Sequence, residues 1–128
     1  LNHRAKNLLS VVQAIVRRTF QDSGGTAEGQ AALLGRLNAL ASATRLLLRT
    51  EWESAGVREI AAESGLPFAE RVTCEGPDLL LKPVAAQYVT LLIHELWTNA
   101  AKHGALAGPD GTVRLSWRIE AARFYLIW

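Results

Sequence analysis

The chain has 128 residues, of which 49% are hydrophobic and 20% charged, a composition typical of folded domains rather than disordered segments. This length suffices for one ordinary domain or two very small ones. The net charge of +2 is unevenly spread: residues 1–50 contain seven Lys or Arg against two acidic residues, and residues 51–128 contain seven against ten. A basic first part favours an acidic partner surface, whereas the lack of a dense basic run with interleaved aromatics argues against nucleic acid.

The sequence also disfavours several kinds of protein and site. No apolar run approaches the roughly 20 residues that a membrane-spanning helix needs, and we expect no secretory signal, since the first residues are polar and basic. The single Cys74 excludes an internal disulfide and a cysteine-rich metal site, and it fits a reducing, cytoplasmic location. The three histidines lack the Cys or His partners that structural zinc uses.

Residues 1–49 are predicted to form two helices. Gly24 and Gly25 break the first helix, and Thr26 is a suitable N-cap for the second. Each helix has a mostly apolar heptad seam, formed by Leu1, Ala5, Leu8, Val12, Ile15 and Thr19 in the first and by Leu33, Leu37, Leu40, Thr44 and Leu47 in the second. The short connection predicts an antiparallel hairpin.

A lone hairpin cannot bury its apolar surface well, because the stripe on the first helix is wider than one neighbour covers. We expect a second copy to complete a four-helix bundle across a two-fold axis. In the alternative, both helices pack on the rest of their own chain.

Residues 51–128 predict a mixed α/β segment. The stretch "VREIAAES" is an amphipathic helix that Gly65 and Pro67 terminate, and "RVTCEG" and "DLLL" are short strands around a Gly-Pro turn. Pro83 suits the first turn of a long helix that runs to about His103 and stops at Gly104. A strand pair follows, "TVRLSWRIE" and "RFYLIW", whose first member shows one face formed by Val113, Leu115, Trp117 and Ile119.

The long helix presents a carboxylate, an amide and an ammonium group together. Glu95, Asn99 and Lys102 are spaced by four and three residues and share one face. This face is separate from an apolar stripe formed by Val84, Tyr88, Leu92 and Leu96. An amide oxygen can hold Mg²⁺, a lysine can neutralise phosphate, and a carboxylate can take a proton. On spacing alone, a solvated helix face is the more common explanation.

Two stretches together resemble a known family. The first, "LNHRAKNLL", contains His-Arg-x-Lys-Asn, the pattern of the phosphoacceptor box of HWE-type sensor histidine kinases. The second, "HELWTNAAKHGAL", resembles that family's N box, in which His-Glu-Leu precedes Thr-Asn-Ala-Ala-Lys. The hairpin between them, the region around Trp52 and the final strand pair are similar as well, so the resemblance spans essentially the whole chain.

The resemblance implies a role for several residues of the two boxes. His3 would accept the γ-phosphoryl group of ATP and pass it to an aspartate of a response-regulator receiver domain. Asn99 would be a ligand of Mg²⁺, Lys102 would contact phosphate, and Glu95 would be the N-box acid, a candidate base or water-orienting group. His94 matches the family's signature histidine, for which a core histidine held by hydrogen bonds is the alternative.

The side chains around His3 would form a ring of donors. Arg4, Lys6 and Asn7 can donate to phosphate oxygens, although helix solubility alone would also explain the first two. Asn7 lies one turn from His3 and could hydrogen-bond a ring nitrogen or position water for dephosphorylation. Many histidine kinases have an acid directly after the histidine, where this chain and the HWE pattern have Arg4. The group that orients or deprotonates His3 is therefore left open.

The resemblance implies an α+β fold in two domains. Residues 1–50 would be a dimerisation and phosphotransfer hairpin, and residues 51–128 the first part of a GHKL-type α/β sandwich that binds ATP. Trp128 is similar to the Trp of the family's Trp-x-Glu motif, which Gly-rich segments follow. We expect the catalytic core of a larger bacterial kinase, represented incompletely at both ends, and expect these 128 residues alone to bind ATP weakly or not at all.

Two other functions are compatible with parts of the sequence. One is a dimeric histidine phosphotransfer protein with a degenerate ATP-binding domain, against which the intact face of Glu95, Asn99 and Lys102 argues. The other is a dimerisation scaffold without chemistry, which leaves the cluster around His3 unexplained. The expected partners are a receiver domain and a second copy of the chain.

Overall fold

The structure is a computed structural model that describes the backbone of residues 2–128 and the side chains of residues 3–65 and 68–128. The described residues form four α-helices and two small sheets, so the chain is α+β, as predicted. In chain order the elements are α1 (Asn2–Ser23), α2 (Ala27–Leu48), β1 (Ala55–Gly56), α3 (Val57–Ser64), a 3-10 helix (Leu66–Arg71), β2 (Val72–Glu75), β3 (Leu80–Leu81), α4 (Pro83–His103), β4 (Val113–Glu120) and β5 (Arg123–Ile127).

Helices α1 and α2 form the predicted antiparallel pair. Gly24 has a φ of 59°, a left-handed conformation that glycine adopts without steric cost. The hydroxyl of Thr26 then accepts a hydrogen bond from the backbone N–H of Gly29 at 3.0 Å, which caps α2. Leu1, the first residue of the predicted seam, lies outside the described residues. The other seam positions account for most of the apolar cluster between the helices, namely Val11, Ile15 and Leu40 with Leu8, Val12, Leu33 and Leu37 around them.

The pair of helices packs on α4 of its own chain. Leu91 of α4 joins the apolar cluster between α1 and α2, and α2 packs against both α1 and α4. This packing agrees with the alternative to a dimer, in which both helices pack on the rest of their own chain. Even so, large apolar side chains of α1 and α2 stay exposed: Leu9, Phe20, Leu34 and Leu48. The four-helix bundle therefore stays a prediction.

The main sheet differs from the expected arrangement of strands. It has the order β2-β4-β5, in which β2 runs parallel to β4 and β4 pairs antiparallel with β5. The strands β2 and β3, which flank the Gly-Pro turn, do not pair, because β3 pairs with β1 in a separate two-stranded sheet. Trp117 explains the departure of the chain at this turn: its indole N–H donates to the carbonyl oxygen of Pro77 at 2.8 Å. A β-carbon on Gly76 would lie 2.3 Å from the same indole nitrogen, so only glycine fits beneath the ring.

Helix α4 has the bounds that Pro83 and Gly104 predicted, but of its predicted apolar stripe only Leu96 packs against the larger core. Val84, Tyr88 and Leu92 are each about half exposed. The buried face consists of smaller and polar residues together with two large side chains: Ala86, Gln87, Thr90, Ile93, Trp97 and Ala100. Ala86 and Ala100 are almost completely buried, and residues this small allow a helix to approach its neighbours closely.

The larger core lies between the helices α3 and α4 and the main sheet. Its fully buried members include Ile60 of α3, Ile93 of α4 and Leu115 of β4. Ile119, predicted on the same face as Leu115, is 52% exposed. None of the helices in the described part of the chain is both long and apolar enough to cross a membrane.

Candidate functional site

His3 lies in the first turns of α1 and is exposed to solvent. The exposed side chains of Arg4 and Lys6 follow it, while Asn7 is half-buried. Among the described residues, the buried Oδ1 of Asn7 accepts no hydrogen bond. In this arrangement the Asn7 carbonyl oxygen therefore receives no hydrogen bond from the His3 ring.

Arg4 contacts the connection between α2 and β1. Its guanidinium donates to the backbone carbonyl of Glu51 at 3.1 Å and lies 5.8 Å from the ring centroid of Trp52. A cation over an aromatic ring at this distance is attracted by the ring's negative face. Glu51 and Trp52 both have left-handed backbone angles, with φ of 53° and 68°, so the connection makes a sharp turn below Arg4. Arg4 therefore ties the start of α1 to the segment where α2 ends.

The predicted polar face of α4 opens into a cleft between α2 and α4. Glu95, Asn99 and Lys102 all line this space of about 570 Å³. The structure thus brings the three predicted N-box residues together on one side of one cleft. Asn99 and Lys102 are exposed and accessible to a ligand, whereas Glu95 is half-buried.

Glu95 is held by an arginine of α2 that sequence reasoning did not identify. Arg36 Nε donates to Glu95 Oε1 at 2.6 Å, and a second guanidinium nitrogen donates to Oε2 at 3.2 Å. These hydrogen bonds lower the pKa of the Glu95 carboxyl below its ordinary value of 4.5, against the opposing effect of burial. Arg36 directly precedes Leu37 of the predicted seam. In the sequence, the one sign of this contact was a charged residue next to an apolar seam position.

His94 packs against α2 where Gly35 leaves room for its ring. A β-carbon on Gly35 would lie 3.1 Å from Nε2 of His94. Burial lowers the pKa of the imidazole below its ordinary 6.5, and the nearby Glu95 carboxylate partly offsets this effect. His94 thus lies at the contact between α2 and α4, where burial favours the neutral form of its ring.

A second cavity lies on the other side of Asn99. It measures about 420 Å³ and is lined by the end of α4, the loop after it and the start of β4, with Trp128 at its edge. The ring of Trp128 lies 5.5 Å from that of Trp97, centroid to centroid. Arg71, also missed in the sequence, holds this loop: it donates to the carbonyl oxygens of Gly111 at 2.8 Å and Ala105 at 3.1 Å, and to that of Gly108.

The groups around the two cavities suit a magnesium–nucleotide phosphate. Asn99 offers the amide oxygen that a hard cation prefers. Lys102 and Arg114 add cationic donors for phosphate oxygens, one in each cavity. This donor set fits a phosphate group that carries a magnesium ion.

The structure places His3 far from these donors. Arg4, next to His3, contacts Glu51 beyond the end of α2, whereas Lys102 lines the same cleft as Glu28 at the start of α2. The 22 residues of α2 span about 33 Å at the rise of an α-helix. Lys102 therefore lies towards the end of the helix pair opposite to His3, whereas Glu95 lies near the middle of α2, at Arg36.

Comparison with known proteins matches the chain to one family along its length. A family model described as HWE histidine kinase matches residues 1–78. The chain is 38% identical over 131 aligned residues to a blue-light-activated histidine kinase of Rhizobium johnstonii, covering 100% of this chain and 37% of that protein. It is 31% identical to proteins of the same name from Brucella ovis and Brucella abortus, covering 98% of this chain and 27% of each of them.

The chain thus spans about a third of the length of these curated relatives. The family match includes the stretch around His3, and the aligned relatives extend the similarity over the stretch from His94 to Lys102. The chain therefore belongs to the HWE histidine kinase family.

Proposed function

We propose that this chain is the phosphotransfer and nucleotide-binding core of a two-component sensor histidine kinase. The observation that carries the proposal is the shared cleft of Glu95, Asn99 and Lys102 in a member of this family. An intact set of acid, amide and ammonium groups is what a nucleotide-dependent enzyme needs. A phosphotransfer protein with a degenerate ATP-binding domain has no use for it, and the kinase is the better supported of the two.

His3 is the proposed nucleophile. A neutral imidazole has one nitrogen with a free lone pair, which would attack the γ-phosphorus of ATP. A nitrogen–phosphorus bond forms, the bond from phosphorus to the β–γ bridging oxygen breaks, and ADP leaves with its electron pair. A base then removes the proton from the other ring nitrogen. In the second step, an aspartate carboxylate of a receiver domain takes the phosphoryl group and the imidazole regains its proton.

The residues of α4 are proposed to bind and position the nucleotide. Phosphoryl transfer depends mainly on positioning and charge stabilisation. Asn99 would hold Mg²⁺ through its amide oxygen, and the ion would neutralise charge on the phosphate oxygens when bound. Lys102 would contact those oxygens as a point charge. Glu95 is the candidate base or water-orienting group, which requires its release from Arg36.

The distance between the boxes implies that transfer needs a different arrangement. Either residues 51–128 move along the helix pair, or the nucleotide of one chain reaches His3 of another. The exposed side chains Leu9, Phe20, Leu34 and Leu48 support a homodimer in which residues 1–50 form a four-helix bundle. We accordingly propose residues 1–50 as the dimerisation and phosphotransfer domain. Residues 51–128 would be part of a GHKL-type ATP-binding domain.

Labelling of the whole protein tests this function. The protein is incubated with radiolabelled ATP and Mg²⁺, and the label is tested for the acid lability and base stability of phosphohistidine. We expect labelling that His3→Gln abolishes and that Gln13→Ala, an exposed change on the same helix, leaves intact. Equal labelling of the His3→Gln protein would refute the assignment of the nucleophile. A receiver domain added afterwards should remove the label from the kinase.

A further inference from the structure

Three helices meet at the guanidinium of Arg36. Besides its two hydrogen bonds to Glu95 of α4, Arg36 donates from a third nitrogen to the hydroxyl of Thr19 on α1 at 2.7 Å. That hydroxyl is buried and itself donates to the carbonyl oxygen of Ile15 at 2.7 Å. Only 17% of the Arg36 side chain is exposed. One side chain of α2 thus joins α1 to α4.

This contact differs from the other ion pairs of the described side chains. Arg18–Asp22 lies within α1, and Arg45–Glu63 is longer, at 3.8 Å, with a mostly exposed arginine. Arg36–Glu95 alone among them has two hydrogen bonds between its partners, a geometry that fixes orientation as well as charge. Because 40% of the Glu95 side chain remains exposed, water can reach the carboxylate and the pair can open without unfolding the core.

The pair has two consequences for the proposed reaction. First, both oxygens of the Glu95 carboxylate accept hydrogen bonds from Arg36, so the guanidinium competes with a proton or a reacting water for this acid. Second, the pair holds α4 against α2 with Lys102 beside the loop end of the helix pair, about a helix length from His3. The same contact therefore occupies the acid and keeps the nucleotide-binding face away from the acceptor.

We propose that Arg36 is an autoinhibitory latch of this kinase, which must release Glu95 before His3 is phosphorylated. This inference rests on the proposed function. Arg36 acts through Glu95 and touches no reacting atom, so its role is in positioning. Opening replaces the charged hydrogen bonds with water and leaves both side chains hydrated at the cleft.

The first test measures the position of α4 without any phosphoryl transfer. Spin labels are attached to cysteines at Gln21 and His103, which are exposed on α1 and α4, with Cys74→Ser to remove the free thiol. We expect a single short distance in the parent protein and a longer, broader distribution in Arg36→Gln. The double charge reversal Arg36→Glu with Glu95→Arg should restore the short distance. Arg45→Gln, which removes the other arginine of α2 in an ion pair with a neighbouring element, should keep it.

The second test measures labelling of His3 in the whole protein without spin labels. The initial rate should rise roughly two- to tenfold in Arg36→Gln, the range that a partly exposed pair contributes to an equilibrium. Arg36→Lys keeps the charge but not the planar guanidinium that donates two hydrogen bonds to Glu95, so the labelling rate should rise less than in Arg36→Gln. An unchanged distance in Arg36→Gln overturns the latch, and so does a wider distance without faster labelling. Absence of labelling in every variant would refute both the proposed function and the inhibitory role. The distances between the spin labels would still decide whether Arg36 holds α4 against α2.

Discussion

Gly35 of α2 faces the imidazole of His94 of α4 so closely that a β-carbon at residue 35 would lie 3.1 Å from Nε2 and 3.3 Å from Cε1 of the ring. The absence of a side chain at this position allows the two helices to meet around the histidine. The same ring lies next to Glu95 in sequence, and therefore next to the ion pair with Arg36. Packing at residue 35 is thus coupled to the ion pair of Glu95 and Arg36 through the side chain of His94.

Replacement of Gly35 by valine should destabilise the contact between α2 and α4. The branched side chain must displace the His94 ring, and overpacking of this kind costs about 1–3 kcal/mol in the free energy of unfolding. Urea unfolding followed by circular dichroism measures the effect. Gly25→Val is the matched control, because a β-carbon at Gly25 meets no atom within 4 Å. Equal stability of the two variants would contradict the close contact.

The pKa of His94 predicts a pH dependence of stability. Because burial lowers the pKa of this imidazole in the folded state, the unfolded chain takes up its proton at a higher pH than the folded chain does. The free energy of unfolding should therefore fall as the pH decreases below about the unfolded histidine value near 6.5. His94→Gln should flatten this slope when unfolding is measured from about pH 7.5 to 5. Ala85→Ser, an exposed change on the same helix that removes no titratable group, should keep the slope.

The turn between β4 and β5 should be improved by glycine. Ala121 and Ala122 have φ of 51° and 61°, left-handed angles that cost a residue with a β-carbon about 1–2 kcal/mol each. Two-residue hairpin loops of this kind favour Asn-Gly. We expect Ala122→Gly to raise the free energy of unfolding by about 1 kcal/mol. Ala62→Gly in α3 should lower it by about the same amount, because glycine is a poor helix former. A loss of stability in both variants would contradict the turn geometry.

The sequence predicted those features whose causes are local. Pro83 and Gly104 determine the ends of α4, and Thr26 determines the start of α2, because capping acts within one turn. The polar face of α4 follows from helical spacing alone. Alternation along β4 identifies its faces but not its neighbour, so the parallel pairing with β2 was not predictable. The pair of Arg36 and Glu95 joins residues 59 positions apart, and a single sequence does not say which helices meet.

Arg71 is expected to order the loop of residues 104–111 beside the cavity at Asn99. Its guanidinium donates to three carbonyl oxygens of this loop, those of Ala105, Gly108 and Gly111. A charged donor shared among three carbonyls closes a loop that has no strand or helix of its own, and hydrogen bonds to charged groups contribute about 1.5–3 kcal/mol when buried. Since the Arg71 side chain is only half-buried, we expect a contribution to loop stability at the lower end of this range.

Arg71→Gln should therefore speed amide hydrogen exchange in residues 104–111 by roughly tenfold, which corresponds to about 1.4 kcal/mol of lost protection. Exchange in α4 and β4 should change much less, because Ile93 and Leu115 keep those elements in the larger core. Arg123→Gln, an exposed arginine at the start of β5, is the control and should leave the loop unchanged. Faster exchange across the whole chain would mean that Arg71 supports the fold rather than the loop. If exchange becomes faster only in the loop, Arg71 is the residue that shapes this wall of the proposed nucleotide cavity.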